Sequence, residues 1–210
     1  MSDEKQVTRA GITYAYSSAW IHQLESEQQW RLYWQQQAIL QPHLAPGDTI
    51  LEMGHGTGFT ANYLRSHGYT VTTVDIDPEK QPDIVANLPD FELEAPVDHV
   101  LGFEVFEHVP FEDVQGFVER VAPQCRKGFY LSVPRCERPL LRLEGRLPKL
   151  GPINWAINRK KPRITTAHHF WELNDGRIDE SAVSELFSPH GFTLAERVDR
   201  FCRAFFAFTR

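Results

Sequence analysis

Three alternate glycines stand directly behind a short apolar, β-prone run: Thr49 to Met53 is followed by Gly54-His55-Gly56-Thr57-Gly58, with Glu52 just ahead of them. Glycine accepts positive φ and carries no Cβ, so a loop of this kind lets the backbone approach a bound molecule closely. Asp75 closes the next β-branched run, about 20 residues after the first glycine, where nucleoside-binding folds accept the two ribose hydroxyls on a carboxylate. A ligand-free tight turn also uses glycines, and it is the pairing with Asp75 that points to a nucleoside. A second group, Glu104-x-x-Glu107-His108, gathers two carboxylates and an imidazole within five positions, and His168-His169 follow later in the chain. Such groups take a proton from an acceptor, or hold a divalent ion through oxygen and nitrogen together. The plainer alternative is a structural turn, with His108 bonded to backbone and Glu107 in solvent.

The elements that must position these groups alternate along the chain. Pro46-Gly47-Asp48 punctuates the start of a strand over Thr49 to Met53, and Phe59, Tyr63 and Leu64 recur at helical spacing before Gly68. Tyr69 to Ile76 then reads as a second strand, closing a βαβ unit whose handedness sets the glycine loop and Asp75 at one sheet edge. Helices are expected over Ser18 to Leu44, Phe59 to His67, Phe111 to Val121 and Asp179 to His190, between strands, which is an α/β layer pattern. In the first of these, Trp20, Leu24, Trp30, Tyr33 and Trp34 are expected to form the packed stripe, with Trp30 or Tyr33 alternatively closing over a ligand.

The usual dinucleotide spacing G-x-G-x-x-G fails here, because Phe59 stands at its third position, which disfavours a nicotinamide-dependent oxidoreductase. Glu-x-Gly-x-Gly-x-Gly instead resembles the first motif of class I S-adenosylmethionine-dependent methyltransferases, in their small-molecule, type 11-like branch. The resemblance implies that Glu52 opens the motif, that Gly54, His55, Gly56 and Gly58 line the cofactor, and that Asp75, followed by Ile76, holds its ribose. DIVANLPDF, Asp83 to Phe91, is similar to the family's third segment, with Asn87 and Leu88 beside the adenine, although an aspartate is commoner at the Asn87 position. VDHVLGFEVFEHVP, Val97 to Pro110, resembles the fourth strand and its loop, and sets Phe103 at the cofactor edge. FYLSVP looks like the fifth strand, and Gly191 to Arg210 like a final antiparallel hairpin.

The implied architecture is a single-domain, Rossmann-like, doubly wound sheet of seven strands, mostly parallel with an antiparallel last strand. Within it, 18–44 is an N-terminal helical cap, 45–134 the cofactor-binding core, 135–178 a substrate-recognition insertion, and 179–210 the last helix and hairpin. Some members of the family, including RNA 3′-end and ubiquinone-pathway O-methyltransferases, bind a divalent ion with an arrangement like Glu104-x-x-Glu107-His108. Many relatives carry EHVP without an ion, so no metal is expected here. His108, Glu104 and His168 are the expected catalytic residues.

Charge divides the chain unevenly. Residues 135–163 hold nine Lys or Arg against Glu137 and Glu144, a local excess of +7 in a chain of net −6, which leaves −13 elsewhere. Pro139, Pro148, Pro152 and Pro162 interrupt the segment. It reads either as a solvated irregular loop or as a basic lip for an anionic acceptor. A long nucleic acid is disfavoured, because the acidic remainder repels a polyanion. The three cysteines have no metal-type spacing and read as reduced thiols. No stretch reaches the length of a membrane span, and the beginning of the chain lacks a secretory pattern, so a cytoplasmic protein without a membrane partner is expected. The expected activity is methyl transfer from S-adenosylmethionine to a small polar acceptor, at oxygen rather than nitrogen. RNA methylation through the basic segment and a non-catalytic cofactor-fold module are the alternatives.

Overall fold

A computed structural model describes residues 4–9, 11–17, 23, 25–147, 151–160, 166 and 168–210. The chain opens with a hairpin of β1 (Glu4–Arg9) and β2 (Ile12–Ser17), which sequence reading did not anticipate. Helix α1 then runs over Glu27–Leu40, starting where the Ser26 hydroxyl accepts the Gln29 amide. The expected helix was longer. Ser18, Trp20 and Leu24 lie outside the described residues.

β3 (Thr49–Met53), α2 (Phe59–Ser66) and β4 (Thr70–Asp75) form the expected βαβ unit, followed by the short β5 (Ile84–Val85) and by β6 (Val97–Phe103). α3 (Phe111–Val121) leads into β7 (Cys125–Pro134), and β8 (Glu137–Leu147) with β9 (Gly151–Lys160) make a separate hairpin. α4 (Glu180–Phe187) begins where Asp179 accepts the Ala182 amide, and β10 (Thr193–Arg200) and β11 (Arg203–Thr209) end the chain. The central sheet has the order β10-β11-β7-β6-β3-β4-β5. Its strands are parallel from β7 to β5, while β11 runs antiparallel to both β7 and β10. This is the seven-stranded, doubly wound sheet that the resemblance implied.

Alternation along the inner strands supplies two cores. Met53, Val100, Leu131, Phe206 and Phe208 meet Val114, Phe117 and Val118 of α3 and Val183 and Phe187 of α4 on one face. Ile50, Leu101, Tyr130, Phe205 and Ala207 meet Leu32, Ile39 and Leu40 of α1 and Leu64 of α2 on the other. Strands buried on both faces read as near-continuous apolar runs, as Phe205 to Phe208 does. The expected stripe on α1 is corrected: Trp30 and Trp34, one turn apart, are 52 % and 71 % exposed, and the buried positions are Leu32, Tyr33, Gln35, Gln36, Ile39 and Leu40. With the helix starting at Glu27, the 3.6-residue period turns Leu32, Gln36 and Ile39 inward and both tryptophans outward.

Candidate functional site

A cavity of about 590 Å³, within the range of small-molecule sites, opens at the C-terminal ends of β3, β4 and β6. The glycine loop forms its floor. Gly54 and Gly58 hold φ of +81° and +77°, and a Cβ on Gly54 would lie 2.3 Å from Cγ2 of Val105. At Gly58 the left-handed residue is also the cap from which α2 starts. Asp75 is buried at the end of β4; its Oδ1 accepts the Asp77 amide at 2.9 Å, and its Oδ2 accepts from Nζ of Lys80 at 3.1 Å and from the Gly56 amide at 3.5 Å. Burial pushes the Glu52 carboxyl up to about 8, with Arg65 opposing and Asp75 reinforcing the shift. Across the cleft the Tyr33 ring stacks on Phe59 at 4.2 Å, with its hydroxyl bonded to Glu25 and Thr57.

A second wall of the cavity is built by the turn after β6 and by Thr166 and residues 168–173. Glu104 adopts φ of +57°, its Oε1 accepting from Ser132 Oγ at 2.9 Å and its Oε2 from Nε of Arg203 at 2.6 Å. Glu107 is fully buried, and burial together with the neighbouring Glu104 raises its carboxyl well above the usual range. Trp171 bolts the second segment to this turn, donating Nε1 to the carbonyls of Phe106 and Val109, while the Phe170 amide bonds the Glu107 carbonyl. Nδ1 of His108 faces the His168 carbonyl at 3.2 Å, and Nδ1 of His169 faces Oε1 of Glu172 at 2.9 Å. A carbonyl and a carboxylate only accept, so both Nδ1 atoms donate. Burial and His169 push His108 down to about 4, which keeps that imidazole neutral. Glu107, His108 and His169 offer ligand atoms that all lie within 4.8 Å of one another.

Glu52, Gly54, His55, Gly56, Asp75, Ile76, Asn87, Leu88, Phe103, Glu104, His108 and His168 all line this one cavity, whereas Gly58, expected beside them, is not among the lining residues and instead caps α2. Glu107 is not the solvated residue of the plainer alternative. His168 meets His108 through its carbonyl, and it is His169 whose ring packs against His108, at 4.9 Å. Further along, Trp171, Glu172 and Leu173 are buried, while Thr166, His168 and His169 line the cavity; Thr165 and Ala167 lie outside the described residues. Sequence reading missed Tyr14, Tyr16, Lys80 and Arg203. Only Tyr14 and Tyr16 had a signal, the apolar alternation Ile12, Tyr14, Tyr16 after Gly11.

The family model for a methyltransferase domain matches residues 22–174. The chain belongs to that family. Comparison of the sequence with curated proteins gives no match. Among solved structures, the Burkholderia thailandensis 1,6-didemethyltoxoflavin-N1-methyltransferase is similar with a TM-score of 0.56 at 18 % identity, over 100 % of this chain and 99 % of that one. The magnesium protoporphyrin IX methyltransferase of Synechocystis PCC 6803, solved with S-adenosylmethionine, gives 0.56 at 17 % identity, over 87 % and 79 %. The small RNA methyltransferase HEN1 gives 0.59 at 16 % identity, over 90 % of this chain and 26 % of that one.

The cavity of this methyltransferase fits S-adenosylmethionine, which supplies a methyl group on a positively charged sulfur. Buried polar atoms with no hydrogen-bond partner among the described residues line it at Glu52 Oε2, His55 Nδ1 and Asn87 Nδ2. An unpaired buried polar atom is costly, and a polar ligand relieves that cost. The close approach of Gly54 to Val105 leaves room for backbone alone at the loop.

Proposed function

We propose that this methyltransferase moves a methyl group from S-adenosylmethionine to an oxygen of a small polar acceptor, bound between the glycine loop and the Glu107, His108 and His169 cluster. That cluster carries the proposal, because it brings two imidazoles that line the cavity and one buried carboxyl within 4.8 Å of one another. A carrier with its own leaving group asks the protein mainly to align the acceptor and exclude water. Asp75, Asn87 and the loop hold the donor; His108, neutral and with its Nε2 lone pair, takes the acceptor's proton beside His169; Glu104 orients the turn through Ser132 and Arg203. An anionic acceptor is favoured by the basic excess of residues 135–163.

A second reading rests on the same cluster. One carboxylate and two imidazoles suit a divalent cation, and Glu172 behind His169 is the outer carboxylate that fixes a ligating imidazole in other metal sites. Such a cation lowers the pKa of an oxygen it touches.

The test is calorimetric titration with S-adenosylmethionine, S-adenosylhomocysteine and NAD, with Mn²⁺ binding followed separately by its paramagnetic spectrum. Binding of the first two and not of NAD is expected, and binding of NAD alone would overturn the proposal. Tight Mn²⁺ binding abolished in His169→Ala supports the cation; absence of Mn²⁺ binding removes it and leaves proton transfer to the histidines.

A further inference from the structure

Residues 137–147 and 151–160 form two strands, not the solvated irregular loop that was one of the two readings of their sequence. β8 and β9 pair with each other from Glu137↔Lys160 to Leu147↔Gly151, with one irregularity between Pro139 and Leu141, and neither is part of the seven-stranded sheet. In an antiparallel pair, residues opposite each other and residues two apart share a face. Leu141 is opposite Ile157 and Leu143 is opposite Trp155, so four large apolar side chains form one row. Each is 44–59 % exposed. Leu147 and Ile153 occupy the register positions that extend the row, and Arg142, Glu144 and Arg146 occupy the alternate positions. The root of the arm is tied to the second wall of the cavity, where the Cys136 amide bonds the Leu173 carbonyl.

A two-stranded ribbon with an exposed apolar face is marginally stable in water, so this face calls for a cover. Charge selects which one. The segment holding the arm carries +7 while the rest of the chain carries −13. We propose that the β8–β9 arm docks on an anionic lipid bilayer, with Leu141, Leu143, Trp155 and Ile157 in the headgroup boundary and the net positive charge of the same segment drawn to the lipid phosphates. Tryptophan favours that boundary, and polybasic segments next to it are drawn to anionic leaflets. The arm's strands of eleven and ten residues measure about 36 Å and about 33 Å at roughly 3.3 Å per residue. That exceeds the Debye length of about 8 Å in physiological salt several times, so the acidic body stays screened while the arm engages. A second copy of the chain fits less well: a ribbon two strands wide and seven residues long presents on the order of 200 Å² of face, against about 800 Å² per partner in a stable interface. Docking of this kind is peripheral, and no helix among the described residues is long and apolar enough to cross a membrane.

The full chain is sedimented with vesicles of phosphatidylcholine alone or with a quarter phosphatidylglycerol, at low and high salt, beside Leu143→Ser/Trp155→Ser and a Trp34→Ser control. At least about ten-fold tighter binding to the anionic vesicles is expected, weakened by salt and lost in the double variant. The Trp34→Ser control keeps it, and all proteins keep their S-adenosylmethionine affinity, which reports that they are folded. Equal sedimentation of the double variant and the parent, or no binding to anionic vesicles, overturns the proposal. In the latter case a dimer dissolved by the double variant assigns the face to a second copy, and salt-sensitive binding of a single-stranded RNA assigns it to nucleic acid.

Discussion

Nε of Arg203 donates to Oε2 of Glu104 at 2.6 Å, joining the first residue of the last strand to the turn that follows the central β6. Ser132 occupies the other oxygen of the same carboxylate, and the Glu104 amide bonds the Ser132 carbonyl at 3.0 Å. A carboxylate engaged on both oxygens positions its loop, and here that loop delivers Glu107 and His108. Arg203→Met removes one charged hydrogen bond from a partly exposed pair, on the order of 1–2 kcal/mol. Turnover is expected to fall about ten-fold while S-adenosylmethionine affinity changes less than about three-fold. Steady-state kinetics beside calorimetry separates the two, and an equal loss in both means that the pair serves the cofactor end instead.

Gly54→Ala introduces a Cβ at φ +81°, aimed at Val105 Cγ2. The loop must shift to relieve the clash, and a misplaced loop loses cofactor contacts. Affinity for S-adenosylhomocysteine is expected to drop at least about 30-fold, or about 2 kcal/mol, in a calorimetric titration.

Asp75 already has a cation, Lys80, so a ligand's hydroxyls must share the carboxylate with it. Asp75→Ala is expected to weaken cofactor binding by about 10–100-fold, as hydroxyls lose a charged acceptor. Lys80→Met leaves a buried carboxylate short of a partner, and the free protein is expected to melt about 3–6 °C lower, with the cofactor restoring more of that loss than it adds to the parent. Scanning calorimetry with and without cofactor decides it.

Glu52 predicts a pH dependence. Its carboxyl is held at about 8 in the folded chain against an ordinary 4.5, so the folded state keeps a proton that the unfolded chain releases. The associated stability is complete below about 4.5 and is lost as pH rises through about 8. Glu107, raised by the same cause, adds in the same direction. The melting temperature of the free protein is expected to fall between pH 5 and pH 8.5, and Glu52→Gln to flatten that slope. An unchanged slope in the variant would mean that Glu52 is ionised in the fold.

The glycine-loop side of the cavity was legible because its signals are local: the loop and Asp75 follow or end the adjacent parallel strands β3 and β4, and glycine spacing reports backbone conformation directly. The side built by Glu104 to His108 and Thr166 to His169 was less so. His169 rather than His168 faces His108 because Trp171 and Leu173 anchor the segment by burial, and which of two adjacent histidines turns inward depends on that distant packing. Arg203 gave no signal at all, since its partner Glu104 lies in the turn after β6, 99 residues earlier in the chain. The β8–β9 arm was hidden by its prolines, although the alternation Leu141, Leu143 and then Ile153, Trp155, Ile157 was present. Pro139 and Pro152 are tolerated in a ribbon whose strands each have a free edge.

The antiparallel β11 sits between β7 and β10, and its register runs from Arg203↔Pro134 to Thr209↔Gly128. During synthesis, therefore, β7 emerges long before its neighbour exists, with Phe129 to Val133 displaying an unpaired edge. That interval is the chain's exposure to misassociation, because open apolar edges template aggregation. Pairing of β11 with β7 is also what brings Arg203 to Glu104, so a molecule that has not closed its sheet has an incomplete cavity wall.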